Sequence, residues 1–308
     1  MLSPKIVLAT LTMLSLCAPS FGQIQDHRYD PYDWENPDGT FTLPDDLNEV
    51  SGLSFDQAGN HLLAVQDELG EVFVLNKENG EVVRRMPFWK EGDYEGIEQV
   101  GDKIYVVKNT GTIYEISAGG TDAQHVEKYN GFLDSDNDIE GLSYWPQRHQ
   151  LLLACKAKPG GGLDGNRTKA VYAFDLTSKT FIEKPLLLLD RQEVSDYLQN
   201  CQPGKDHTQI CEIFDPGKED FDLSPTALAI HPLSGHFYLT SSKGNLLLII
   251  DATGKILHID KLPKHLHRQP EGLCFDAAGN LYISNERKKD IPPLIHRYRY
   301  DPNRTSGR

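Results

Sequence analysis

The residues of this chain best suited to chemistry are carboxylates that return at one position of a recurring phrase. The phrase reads Val50-Ser51-Gly52-Leu53-Ser54-Phe55, Tyr94-Glu95-Gly96-Ile97, Ile139-Glu140-Gly141-Leu142-Ser143-Tyr144, Pro225-Thr226-Ala227-Leu228-Ala229-Ile230 and Pro270-Glu271-Gly272-Leu273-Cys274-Phe275. Its acidic position holds Glu95, Glu140 and Glu271, with Ser51 and Thr226 in the other copies. Two residues earlier stand Glu49, Asp93, Asp138, Ser224 and Gln269. Oxygen donors in number suit a hard cation, and Ca²⁺ accepts six to eight of them in loose geometry. Glu49, Glu95, Glu140 and Glu271 are therefore the candidate metal ligands, with Ca²⁺ the expected ion. The plainer alternative is that each glutamate braces its own repeat against the next by accepting from backbone amides.

The elements that must position these groups read as strands. The intervals between acidic positions are 44, 45, 86 and 45 residues. Each phrase is followed by two more apolar runs, such as Leu62-Leu63-Ala64-Val65 and Val72-Phe73-Val74-Leu75, with turn signals such as Ala58-Gly59-Asn60 between runs. Apolar, β-branched and aromatic runs bounded by Gly, Asn and Asp are strand and hairpin signals. Short strands at a period near 45 predict an all-β fold, a β-propeller of four-stranded blades. Five phrases imply five blades; a worn copy inside the 86-residue interval would make six. Arg191 to Asp222 carries little strand pattern and reads as an insertion between the third and fourth blades, its first part able to form a short helix. Gly39 to Leu43, ahead of the first phrase, could supply an outer strand to the last blade and so close the ring.

In such a ring, equivalent positions surround one axis. The first two strands of a blade run antiparallel, so the start of one meets the end of the other on one face. The ends of the second strands hold Asp67, Asn109, Lys156, Ser242 and Glu286, the candidate ligand-binding residues. Parity raises a difficulty: in a regular strand Glu271 shares a side with Leu273 and Phe275, and would point between blades.

The chain has 308 residues with 31 Lys and Arg against 45 Asp and Glu, a net charge of −14. That balance argues against nucleic-acid binding, which needs clustered cations, and favours cationic partners or metal. Lys5 and the apolar stretch Ile6 to Leu16, ending near Ser20-Phe21-Gly22, read as a signal peptide over residues 1–22 with cleavage before Gln23. Residues 23–308 then form one propeller domain, exported to the periplasm or secreted, expected as a monomer without a membrane-spanning segment. A lipid anchor at Cys17 is the rival, against the Leu16 that precedes it. Cys201 and Cys211, close in sequence inside the insertion, are the expected disulfide; Cys155 and Cys274 lie in strand runs and read as small buried hydrophobes. The loop Lys156 to Asn166 shares the acidic face and could cover a ligand, though a plain hairpin loop is the simpler reading. Asp134-Ser135-Asp136-Asn137-Asp138 resembles the start of a calcium loop without its Gly and terminal Glu. His258, His265 and His267, among Lys261, Lys264 and Arg268, read as a solvated connection.

Through the phrases from Glu49-Val50-Ser51-Gly52-Leu53 to Gln269-Pro270-Glu271-Gly272-Leu273, the chain resembles the SdiA-regulated family of bacterial exported proteins. The resemblance spans about Glu49 to Tyr300 and implies a five-bladed propeller; it implies little chemistry. Two function classes stay open. One is a binding module that uses the acidic face for Ca²⁺ and a small ligand or protein. The other is a metal-dependent hydrolase of lactonase, esterase or phytase type, with a channel-mouth cation as Lewis acid and Asp67 or Glu286 as base.

Overall fold

A computed structural model describes residues 30–200, 207–215, 217–219 and 221–304. The expected signal peptide over residues 1–22, with Cys17, and Cys201 lie outside the described residues. The strands form five four-stranded antiparallel sheets. After β1 (Gly39–Thr42), blade 1 comprises β2 (Val50–Phe55), β3 (His61–Gln66), β4 (Glu71–Asn76) and β5 (Val82–Pro87). Blade 2 comprises β6 (Tyr94–Val100), β7 (Lys103–Lys108), β8 (Ile113–Ser117) and β9 (His125–Tyr129). Blade 3 comprises β10 (Ile139–Trp145), β11 (Gln150–Cys155), β12 (Thr168–Asp175) and β13 (Thr180–Asp190). Two helices follow, α1 (Arg191–Asn200) and α2 (His207–Ile213). Blade 4 comprises β14 (Pro225–Ile230), β15 (Phe237–Ser241), β16 (Leu246–Ile250) and β17 (Ile256–Lys261). Blade 5 joins β18 (Pro270–Phe275), β19 (Leu281–Asn285) and β20 (Leu294–Tyr298) to β1, in the order β1-β20-β19-β18. The count of five blades follows, and the segment before the first phrase closes the ring as anticipated.

The innermost strand of every blade breaks its register at the phrase. Tyr94 pairs Lys108 and Gly96 pairs Val107, which leaves Glu95 as an extra residue. Glu140, Thr226 and Glu271 are extra in the same way, and in blade 1 Val50 pairs Gln66 while Leu53 pairs Ala64. A bulge bends the strand and re-aims a side chain. This removes the parity difficulty: Glu271 lines the channel beside Glu95 and Glu140. In four blades a glycine follows the bulge, where neighbouring inner strands touch; blade 4 has Ala227 there. A Cβ on Gly96 would lie 2.5 Å from Leu142 Cβ, and one on Gly52 would lie 2.8 Å from Gly96 Cα.

The core is five clusters, one at each blade interface. Phe73 and Leu75 of blade 1 meet Cys274 and Ile295 of blade 5, for example, and Val65 of blade 1 meets Ile97 of blade 2. The helical insertion packs Val194, Leu198, Ile210 and Phe214 into the cluster shared by blades 3 and 4. Tyr197 Oη anchors α1 by donating to the Leu257 carbonyl at 3.0 Å. Cys155 and Cys274 are buried, as expected of small hydrophobes. The histidine reading needs correction. His258 and His267 are buried, and His267 Nε2 meets Tyr298 Oη at 2.6 Å. Strand β17 and the turn after it carry these side chains inward, so they serve packing and not a solvated connection.

Candidate site at the acidic channel mouth

The bulges bring Glu95, Glu140 and Glu271 round one axis, each less than a tenth exposed. Beneath them Leu53, Ile97, Leu142, Leu228 and Leu273, one from each blade, close the channel to a cavity of about 10 Å³, room for roughly one water. The ends of the second strands set the outer ring. Backbone bonds fix both rings: Tyr94 N donates to Asp67 O at 3.1 Å and Ile139 N to Asn109 O at 2.8 Å, each linking one blade to the next.

One ammonium stands among these acids. Lys156 Nζ donates to Glu140 Oε1 at 2.6 Å. Burial works against its charge, but Glu140, Glu271 and Asp138 outweigh that and hold its pKa above the usual lysine value. A single cation does not balance the carboxylates. Burial, with Glu140 and Asp93 beside it, pushes the Glu95 carboxyl up to about 11. Burial raises Glu140 to about 7 against the pull of Lys156. Glu271 is held well above the usual range by burial, Glu140 and Glu286. Burial and Glu49 push Asp67 up to about 7; burial and Asp67 do the same to Glu286. Asp67 Oδ1, Glu271 Oε2, Ser284 Oγ and Asn285 Oδ1 are buried without a hydrogen-bond partner among the described residues.

The anticipated residues are not all brought together. Glu95, Glu140 and Glu271 line the channel, Lys156 bonds Glu140 and interacts with Glu271, and Asp67, Glu49 and Glu286 interact electrically at the rim. Asn109 donates through Nδ2 to Asp93, and Glu286 accepts from Gln269 Nε2. Ser242 starts a short turn after β15, where its carbonyl accepts from Asn245 N. Among the described residues, no three Asp, Glu, His or Cys side chains stand close enough together to hold a metal ion. The 134–138 loop spends oxygens on itself: Asp134 Oδ1 accepts from Asp136 N and Asn137 Oδ1 from Asp134 N, at 2.8 and 2.9 Å. The loop after Lys156 is pinned, with Tyr172 Oη donating to Pro159 O at 2.7 Å and Lys169 Nζ to Lys156 O at 2.8 Å.

One carboxylate escaped the sequence reading. Three residues beyond the acidic position stand Ser54, Glu98, Ser143, Ala229 and Cys274, four small side chains and one glutamate. That contrast was the available signal. These residues line the far end of the channel.

Comparison with solved structures finds chains of similar fold. The glutaminyl cyclase of Myxococcus xanthus matches with a TM-score of 0.55 and 15% identity, over 86% of this chain and 96% of that one. A PQQ-bound aldose sugar dehydrogenase from Streptomyces coelicolor matches with a TM-score of 0.48 and 10% identity, over 85% and 97%. At such identities only the fold of the cyclase transfers. Among the described residues, no helix is long and apolar enough to cross a membrane. The model of one sequence family matches residues 41–190 and 212–289, which include all five phrases and most of the chain, and the protein therefore belongs to the SdiA-regulated family.

Proposed function

We propose that this protein is an exported binding module that takes up a cation, Ca²⁺ foremost, at the acidic mouth of its channel, as part of a site for a small ligand or partner. The observation that carries the reading is the imbalance of charge: Asp67, Glu95, Glu140, Glu271 and Glu286 gather at the mouth, and Lys156 is the cation that acts on the last four. Buried carboxyl oxygens without partners are costly, and a cation drawn among them offsets that cost. Ca²⁺ suits the many oxygens. The acids do not stand as a ready-made metal set, so Ca²⁺ would have to draw Glu140 away from Lys156 and toward Glu95 and Glu271.

Thermal unfolding with EDTA and with added Ca²⁺ tests this, on wild type and on Glu140→Gln. A ligand at 100 times its dissociation constant stabilises by about 2.7 kcal/mol, so Ca²⁺ should raise the melting temperature of the wild type and raise that of Glu140→Gln less. A melting temperature indifferent to both additions, with no metal on elemental analysis, overturns the cation reading.

The second reading, a metal-dependent hydrolase, draws on a separate observation. Asp67, Glu140 and Glu286 titrate near 7, where a carboxyl can serve as base or acid at neutral pH. A screen of lactones and phosphoesters with Ca²⁺ separates the two readings. Turnover lost in Glu286→Gln or Asp67→Asn would favour the hydrolase.

A further inference from the structure

The far end of the channel carries a cavity of about 240 Å³. The ring of Leu53, Ile97, Leu142, Leu228 and Leu273 stands between it and the acidic mouth. Small residues make the space: Ser54, Ser143, Ala229 and Cys274 stand where blade 2 has Glu98. The Glu98 carboxylate is held in place, with Oε2 accepting from Ser54 Oγ at 2.8 Å and Oε1 from Tyr144 N at 3.1 Å. Aromatic rings from three blades, Phe55, Tyr144 and Phe275, form walls, and exposed Gln57 lies at the rim. Among the described residues the lining contains two acids, Glu98 and Asp56, and no Lys, Arg or His. Asp56 has its own partner in His61 Nδ1 at 2.8 Å.

We propose that this end of the channel is a second binding site, for a small organic cation, with Glu98 as its anionic anchor and Phe55, Tyr144 and Phe275 as its aromatic walls. A carboxylate fixed by two donors is preorganised for a positive charge, and aromatic faces attract the same charge through their quadrupoles. Burial pushes the Glu98 carboxyl up to about 7 despite its hydrogen bonds, as expected of an acid with no cation beside it. A cationic guest supplies that counter-charge. The site is distinct from the mouth, because among the described residues the two ends share no lining residue.

The test is calorimetric titration of the full chain at pH 8 with tetramethylammonium, and with tert-butanol as its uncharged counterpart of similar shape. Saturable one-site binding of the cation and none of the alcohol is expected. Glu98→Gln removes the charge, and Ala229→Leu fills the cavity while keeping Glu98; each should weaken binding at least about tenfold. Glu140→Gln, at the mouth, should leave it unchanged. Affinity should fall as the pH drops below about 7. The proposal is overturned if the folded wild type shows no saturable binding, or if binding survives in both Glu98→Gln and Ala229→Leu. Binding lost only in Glu140→Gln would assign the cation to the mouth and equally overturn it.

Discussion

At the scale of single residues, the channel mouth is governed by the cost of keeping acids ionised out of water. Asp67, Glu140 and Glu286 have folded pKa values near 7, above the usual range near 4. The folded state therefore binds more protons than the unfolded one as these groups titrate. Stability is greatest below the unfolded pKa and is lost as the pH rises from about 4 through about 7. The melting temperature should fall across that window in the absence of added cation. Glu286→Gln removes one of the three groups and keeps an acceptor for Gln269, so it should flatten the fall. At pH 8 it should stabilise by about 1–3 kcal/mol, a melting shift on the order of 5 °C. A melting temperature that climbs between pH 5 and pH 8 would show the acids to be relieved by something else. Lys156→Met acts in the opposite direction. It strips Glu140 of its partner at 2.6 Å, and should cost about 2–4 kcal/mol at pH 8. The cost should shrink at pH 5, where Glu140 is already neutral. Equal losses at both pH values would mean that Lys156 stabilises through its alkyl stem alone.

At the scale of the element, the phrase is a device with three parts. The bulged residue turns its side chain into the channel, the glycine lets inner strands touch, and the next apolar residue closes the channel floor. Gly96→Ala tests the middle part. Its Cβ would meet Leu142 Cβ at 2.5 Å and Val107 Cγ1 at 3.0 Å. Neither neighbour is the free end of a long chain, so overpacking should cost about 1–3 kcal/mol in chemical denaturation. Blade 4 carries Ala227 at the same position, and Ala227→Gly should cost less than Gly96→Ala; the reverse order would contradict the close-contact account. The phrase is also what made the fold legible. Its recurrence disclosed the blades, the ring of acids and the insertion, because each phrase performs the same job at the same place. Alternation did not disclose where Glu271 points, since a bulge shifts register by a residue and leaves no mark in a hydrophobic pattern. Nor did it disclose that Lys156 would pair with Glu140, a matter of one side chain's reach. The burial of His258 and His267 is not legible in sequence because charged neighbours say little about which side chains of β17 and the turn after it face inward. Glu98 has no counterpart in the other repeats, so its signal lies in being the exception at its position.

At the scale of the whole molecule, each blade buries its faces only against its neighbours, so stability depends on the closing of the ring. Closure rests on one short strand from the start of the described chain. Strand β1 pairs with β20 through Gly39 to Arg297, Thr40 to His296, Phe41 to Ile295 and Thr42 to Leu294. Side chains reinforce it: Thr40 Oγ1 meets His296 Nδ1 at 3.0 Å, and Arg297 Nε donates to Asp38 Oδ2 at 3.1 Å. Phe41 and Leu43 lie in the cluster between blades 5 and 1, with Leu47, Leu75 and Ile295. Without this strand, β20 would present an open edge, a template for pairing with another chain. Phe41→Ala withdraws the largest apolar side chain of β1 and should cost about 3–4 kcal/mol. Hydrogen exchange locates the loss. Amides of β1 and β20 should exchange faster, while those of β11 and β12, across the ring in blade 3, should keep their wild-type rates until global unfolding. A uniform acceleration throughout all five blades would instead mean that the ring opens only as one unit, with β1 no weaker than any other strand.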